Sequence, residues 1–363
     1  MSPLTARPLR VCLVASSQHP IREPFAGGLE SQTHYLAREL RRRGHQVSLY
    51  AAPGSDPALQ ARELTLDRFR PSAAASRDVN APPARWMTEH HAYLSLMLDL
   101  AGAGGDEVDV VHNNSLHHLP VAMARTLAVP VVTTLHTPPL PWLESAFHLS
   151  PDTPAVAVSE TCRRMWAPRV RASVVRNGVD TERWRPGAGG GAAVWSGRMT
   201  PEKAPHDAIL ACRRAGVPLR LVGPVSDPAY YDAMVRPLLG GDVEHLGHLP
   251  HVELVEVVGS ASVALVTPRW EEPYGLVAAE AMACGTPVAA YDRGAVAEVV
   301  TPAAGVVVPA DDVDALAAAL PRAAALPRDR VRATAVRDCS LQRMVDEYEA
   351  LYLSLAATRR PAA

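Results

Sequence analysis

One lysine stands in a chain whose other basic side chains are all arginine, within Gly197-Arg198-Met199-Thr200-Pro201-Glu202-Lys203. A departing diphosphate gathers negative charge as a glycosidic bond breaks. Two fixed cations such as Arg198 and Lys203 can neutralise it, the part Mg²⁺ plays elsewhere. A compact ammonium is a good point charge for phosphate. The competing reading is a surface salt bridge with Glu202. The second segment with chemistry in its spacing runs from Glu271 to Val288, Glu-Glu-Pro-Tyr-Gly-Leu-Val-Ala-Ala-Glu-Ala-Met-Ala-Cys-Gly-Thr-Pro-Val. Pro273 biases Glu272 toward an extended backbone. Gly275 lets a ligand approach the main chain closely, with Tyr274 beside it. The free amides of a helix beginning there, around Leu276 and Val277, can hold a phosphate or sugar oxygen. Glu280, about one turn further in, can accept hydrogen bonds from both hydroxyls of a ribose, leaving Glu272 for sugar hydroxyls. The plain alternative is that both glutamates cap and solvate a helix. For a nucleobase, Gly223 and the Leu246-Gly247-His248-Leu249 loop are the candidates.

These residues need strand ends to hold them, and the chain supplies two sets. The continuous apolar run at 11–16 reads as a buried parallel strand, and 46–51, 108–111, 130–135, 156–158 and 173–175 read as further strands of the same half. Helices are expected at 29–43 and 86–100, with loops and short helices over 52–85. The Gly187–Gly191 tract breaks any periodic element and reads as a linker. Beyond it, strands at 192–196, 219–222, 263–266, 287–290 and 305–308 alternate with helices at 206–215, 251–258, 276–283 and 313–320. Such alternation means an α/β protein of two Rossmann-like, doubly wound parallel-sheet domains facing a cleft. Ligands belong beyond the carboxyl ends of the strands. The expected domains are 1–186, 187–340, and a C-terminal helix in 341–363 crossing back to the first.

Glu272-x7-Glu280 with internal Gly275-Leu276-Val277, followed by Ala-Met-Ala-Cys-Gly-Thr-Pro-Val, resembles the retaining glycosyltransferase family 4, of the GT-B fold. Gly197, Arg198, Glu202 and Lys203 match that family's phosphate motif; Gly27, Gly28 and Glu30 match its Gly-Gly-x-Glu, and Asn177 to Asp180 its Asn-Gly-Val-Asp turn. Two departures stand out: Glu-Pro-Tyr-Gly replaces the frequent Glu-Gly-Phe-Gly, and Ala204-Pro205 follows the lysine where glycine is usual.

The resemblance implies a nucleoside-diphosphate sugar, expected to be a UDP-sugar, bound by the second domain, and an acceptor met by the first. Gly27 and Gly28 would bring backbone amides to the donor phosphate. His136, at a strand end, would touch the transferred sugar; the bland reading is a satisfied loop histidine. His112, Asn113, Asn114 and His117 are the acceptor candidates. No carboxylate nucleophile is evident, so front-face attack is expected, with Arg198 and Lys203 holding the leaving phosphate while Glu272 and His136 position the hexose. No metal or other cofactor is expected. The product would be a secondary metabolite or cell-surface glycan.

Rivals from other classes fare less well. A dinucleotide oxidoreductase needs Gly-x-Gly-x-x-Gly after the first strand, and 16–27 lacks it. A metal-dependent transferase needs Asp-x-Asp, and Asp312-Val313-Asp314 reads as a helix start. A sugar-nucleotide epimerase of the same architecture, or a non-catalytic sugar-nucleotide sensor, remains as an alternative. Net charge is −2, no footprint for nucleic acid. Five dispersed cysteines read as free thiols in a reducing compartment. Nothing approaches the roughly 20 apolar residues of a membrane span. A cytoplasmic protein is expected, with peripheral membrane contact still open to it.

Overall fold

The computed structural model describes residues 7–64 and 71–357. They form two compact units. The first runs to Ala157 and adds Trp166–Ser173 and the chain from Glu347 onward; the second holds Val158–Met165 and Val174–Asp346. The sequence suggests boundaries at 186/187 and 340/341, with the last segment crossing back; the chain passes between units at 157/158, 165/166, 173/174 and 346/347.

The first unit is built on β1 (Arg10–Val14), β2 (Gln46–Ala51), β3 (Arg62–Glu63), β4 (Val110–Asn113), β5 (Val131–Leu135), β6 (Ala155–Ala157) and β7 (Ala172–Val174). Their order is β3-β2-β1-β4-β5-β6-β7, with parallel pairing from β3 through β6. Central strands are buried on both faces because helices cover both: β5, Val-Val-Thr-Thr-Leu, is buried throughout. Helix α1 (Gly28–Arg42) joins β1 to β2, α2 (Ala84–Ala101) precedes β4, and α3 (Pro141–Leu149) follows β5. The order reverses between β1 and β4, so their carboxyl ends flank the crevice such sheets use for ligands.

The second unit carries β8 (Ala193–Ser196), β9 (Leu219–Val222), β10 (Val243–His245), β11 (Ala264–Val266), β12 (Val288–Asp292) and β13 (Gly305–Pro309). They pair in parallel, in the order β10-β9-β8-β11-β12-β13. Helices α4 (Pro205–Ala215), α5 (His251–Ser260), α6 (Leu276–Ala283), α7 (Val313–Ala324) and α8 (Arg328–Asp338) accompany them. Trp195, Leu221, Leu265, Tyr291, Leu316 and Leu320 belong to its core. Asp312 accepts a hydrogen bond from the Ala315 amide and caps α7, the helix-start reading of Asp-Val-Asp.

The glycine tract is not a free linker. Gly187 packs so closely on Gly259 that a Cβ would lie 2.2 Å from its carbonyl oxygen. The amides of Gly189 and Gly191 donate to Gly259 and Ser260. Glycines serve here for close backbone approach rather than flexibility.

The last helix, Leu341–Ala357, changes unit at Glu347. Within the first unit Tyr352 Oη lies 2.5 Å from His112 Nδ1, and Thr134 Oγ1 links His112 Nε2 (2.7 Å) to Tyr348 Oη (2.9 Å). Arg43 donates to Glu349 at 2.7 Å. Among the described residues no helix is long and apolar enough to cross a membrane.

Burial holds His112, His136 and His117 at pKa values of about 3. Their unfolded counterparts bind a proton below about 6.5. The unfolded state therefore takes up more protons between those values, and stability falls as pH drops from about 6.5 toward 3. Urea midpoints should decrease steadily from pH 7 to pH 5. Midpoints that stay level would mean these imidazoles titrate freely in the native protein.

Candidate active site

Gly197 follows β8 and Gly223 follows β9, both at positive φ (+157° and +140°). A Cβ on Gly223 would lie 1.8 Å from the Gly197 carbonyl oxygen, so the two strand ends meet backbone to backbone. The Gly223 amide donates to the Gly247 carbonyl at 2.9 Å, and His245 Nε2 lies 3.0 Å from the Gly223 carbonyl. The nucleobase candidates Gly223 and Gly247 are thus neighbours, with Leu249 half-buried two residues on.

The loop after Gly197 ends at Lys203, whose Nζ lies 2.5 Å from Glu272 Oε2; the two side chains are 23% and 13% exposed. The lysine therefore does not pair with Glu202. That carboxylate takes Arg198 at 3.4 Å in an exposed i,i+4 pair. Trp270, which no sequence motif singles out, touches both members of the half-buried pair. Its indole N–H donates to Glu272 Oε2 at 2.9 Å, and the ammonium sits 5.0 Å from its ring centroid. Thr267, at the end of β11, places its hydroxyl 3.0 Å from the carbonyls of both Lys203 and Ala204 and accepts the Trp195 indole N–H at 3.0 Å.

The Glu272 backbone is equally confined. Gly294 (φ +64°) approaches so closely that a Cβ would stand 2.3 Å from the Glu272 nitrogen and oxygen, and the Ala295 amide donates to the Glu272 carbonyl at 2.7 Å. Three residues later Gly275, at φ +97°, turns the chain into α6. Leu276 and Val277 in its first turn are half-buried, and such first-turn amides have no intrahelical acceptor. The other end of α6 is gripped by α8. Arg328 donates to the Cys284 carbonyl and Thr286 Oγ1 (3.2 and 3.0 Å), and Arg332 to the Ala283 carbonyl. Two cations there complement the helix dipole.

Glu280 is half-buried with no side-chain partner among the described residues. Desolvation pushes its pKa up to about 8. Tyr274 faces elsewhere. Its hydroxyl is buried beside Cys339, and burial raises its pKa well above the phenol range, so the side chain expected at the donor is turned inward.

In the first unit Gly27 caps α1 with extended backbone and Gly28 opens the helix, with Glu30 in its first turn. His136 follows β5 and its Nε2 lies 2.9 Å from Asn114 Oδ1; with a pKa near 3, it is neutral. Two acceptor candidates are corrected. His112 is wholly buried, with both ring nitrogens engaged. Asn113 is equally buried, its amide nitrogen on Thr133 Oγ1 and its oxygen accepting from the amide and hydroxyl of Ser115. Both sit in β4, in the middle of the sheet, where their polar groups must be satisfied internally. Asn114 serves His136, and only His117 remains partly open to solvent.

The signal for Trp270 was faint: an aromatic in a polar loop two positions before a glutamate. Trp270→Phe keeps the ring face and deletes the donor to a half-buried carboxylate. It should lower unfolding free energy by about 1 kcal/mol. An unchanged urea midpoint would show that the indole N–H does not hold Glu272.

Two family models match the chain, "Glycosyltransferase Family 4" over residues 26–183 and "Glycosyl transferases group 1" over 186–335. Glycogen synthase of Mycobacterium tuberculosis (strain CDC 1551 / Oshkosh) is 28% identical over 356 residues, covering 86% of this chain and 85% of that protein. Sucrose-phosphate synthase from Thermosynechococcus elongatus has a TM-score of 0.75 at 20% identity, covering 96% of this chain and 99% of that one. The Anabaena protein Alr3699/HepE in complex with UDP-glucose has a TM-score of 0.73 at 18% identity, covering 95% and 100%. With motifs, topology and both family models in agreement, the chain belongs to the family 4-like glycosyltransferases of the GT-B fold.

Proposed function

We propose that the enzyme transfers a hexose from a UDP-sugar to an acceptor hydroxyl with retention of configuration, and needs no metal ion. The contact between Lys203 and Glu272 carries this reading, because it joins a phosphate cation to a sugar-binding carboxylate. Lys203 and Arg198 hold the diphosphate, assisted by the first-turn amides of Leu276 and Val277. Glu280 receives the ribose hydroxyls. The complex of the Anabaena protein with UDP-glucose supports uridine as the base.

The reaction proceeds on one face of the sugar. The bond from the anomeric carbon to the diphosphate oxygen breaks as the acceptor oxygen bonds to that carbon from the same side. The acceptor proton passes to the departing phosphate. Glu272 holds the hexose; His136, a neutral imidazole in the first unit, is fitted to act as a hydrogen-bond partner and not as an acid. Lys203→Ala should cut turnover by about two orders of magnitude, since one such electrostatic group is typically worth ~3 kcal/mol, with the fold intact. Transfer should persist in EDTA, and product NMR should show the donor's anomeric configuration. An inverted product, or full loss of activity on chelation, would sink the proposal.

Glu280 adds a pH dependence. Two ribose hydroxyls donate to a carboxylate, so nucleotide favours the ionised form of a group that is protonated below about 8 in the free protein. Binding UDP at pH 7 should release a proton, and affinity should rise with pH up to about 8. Calorimetry in buffers of different ionisation enthalpy measures this. Glu280→Gln should abolish the released proton; the same release in that variant would remove Glu280 from the ribose site.

A further inference from the structure

With His112 and Asn113 inside the sheet, the acceptor needs a different home in the first unit. We propose that a stack of aromatic and imidazole rings at the carboxyl ends of β1 and β4, Trp86–His90–His118–His117–Tyr93 with Trp142 beside it, is an acceptor platform for a neutral molecule that presents an apolar ring face. This inference rests on the transfer reaction proposed above and names the substrate class it uses.

The rings form a continuous series. Trp86 stacks on His90 with centroids 4.8 Å apart and planes 13° from parallel. His90 lies 6.1 Å from His118 and 6.2 Å from His117. His117 stacks on His118 at 4.5 Å and on Tyr93 at 4.3 Å. The base of the stack is rigid. Tyr93 Oη donates to the Ala15 carbonyl and accepts the Ser17 amide, both at 3.0 Å, fixing it to the loop after β1. His117 Nδ1 accepts the Leu119 amide at 3.2 Å, fixing the loop after β4. These two loops flank the point where the strand order reverses, the place a ligand is expected in such a sheet.

The outer end is open. Trp86 and Met87 are 46% and 37% exposed, and Trp142 is 49% exposed. The single indole donor of Trp142 is engaged by the Leu116 carbonyl at 2.8 Å, so what it offers solvent is ring surface. Tyr93 is buried at the base, whereas Trp86 and Trp142 present ring surface to solvent near the carboxyl ends of β1 and β4, and exposed aromatic surface of this kind marks a binding site.

Two of its imidazoles, His117 and His118, are also uncharged. Burial and mutual repulsion of the imidazoles lower the pKa of His118 and bring His117 to about 3, so neither is a cation at pH 7. Such a floor gives no counter-charge to a phosphate or carboxylate. It suits stacking against a pyranose or an aryl ring.

Calorimetry on the UDP-saturated enzyme tests this with three probes: maltotetraose for a glycan ring, 4-nitrophenyl β-glucoside for an aryl ring, and glucose 6-phosphate as the anionic control. One or both neutral probes should bind, and the stronger tells sugar from aryl face. Trp86→Ala and Trp142→Ala should each weaken that binding roughly tenfold while leaving the Kd for UDP unchanged. Neutral binding that survives both substitutions, no neutral binding at all, or preferred binding of glucose 6-phosphate overturns the platform. Failure of the wild type to bind UDP would instead defeat the transfer reading, and this inference with it.

Discussion

The contact between Lys203 and Glu272 is where the second unit concentrates its local structure. Two partly buried charges gain from each other only if the geometry is held and the remaining polar atoms are satisfied. Trp270 supplies both conditions: an N–H for the carboxylate and a ring face for the ammonium. Before any ligand arrives, the cation is therefore fixed rather than free on a flexible four-carbon stem. A diphosphate that displaces Glu272 from Lys203 frees that carboxylate at the same moment. In the proposed reaction the two events are linked, because phosphate takes the lysine as the hexose takes the glutamate.

Around that pair, α6 behaves as a rod fixed at one end and open at the other. Ala278, Ala279, Ala281, Met282 and Ala283 are buried, and small residues allow a close fit to the sheet. Arg328 and Arg332 hold its carboxyl-terminal carbonyls, while Gly275 at its amino end leaves backbone amides without intrahelical partners. Donors fixed ahead of the ligand cost no reorganisation when charge develops, the condition for electrostatic catalysis. Glu280, desolvated and unpaired on the same helix, is unstable as a lone carboxylate and gains most from a partner with two hydroxyls.

Much of this was legible in the chain because the signals were strong and local. Eleven strands were legible as short apolar-rich segments, and α6 begins and ends at 276 and 283 as its flanking glycines require. The edge strands β3 and β10 were not legible: Arg62 and Glu63 are both exposed, and Val243 alone is buried in β10, so neither shows a hydrophobic pattern. The Gly187–Gly191 tract misled because glycine permits either flexibility or close contact, and composition does not separate the two. His112 and Asn113 misled for a related reason. Polar residues at a strand end look available until their partners are known: the last helix brings Tyr352 onto His112, a contact over more than two hundred residues that no local pattern announces, and Asn113 is taken up by Thr133 and Ser115.

The departure after the lysine shows how strongly the site is determined. Ala204 adopts left-handed backbone, φ +45° and ψ +55°, where the related family usually has glycine. Alanine pays about 1–2 kcal/mol for that conformation. It persists because its surroundings leave no alternative. Pro205 fixes the first residue of α4, the Lys203 and Ala204 amides both donate to the Thr200 carbonyl, and Thr267 holds the carbonyls of both residues from β11. A backbone held against its own preference at the residue after Lys203 constrains where that lysine can point. The glycine that relatives use would relieve the strain and also widen the conformations open to the loop. Here, the sheet itself, through Thr267, has taken over the task of aiming the cation at Glu272.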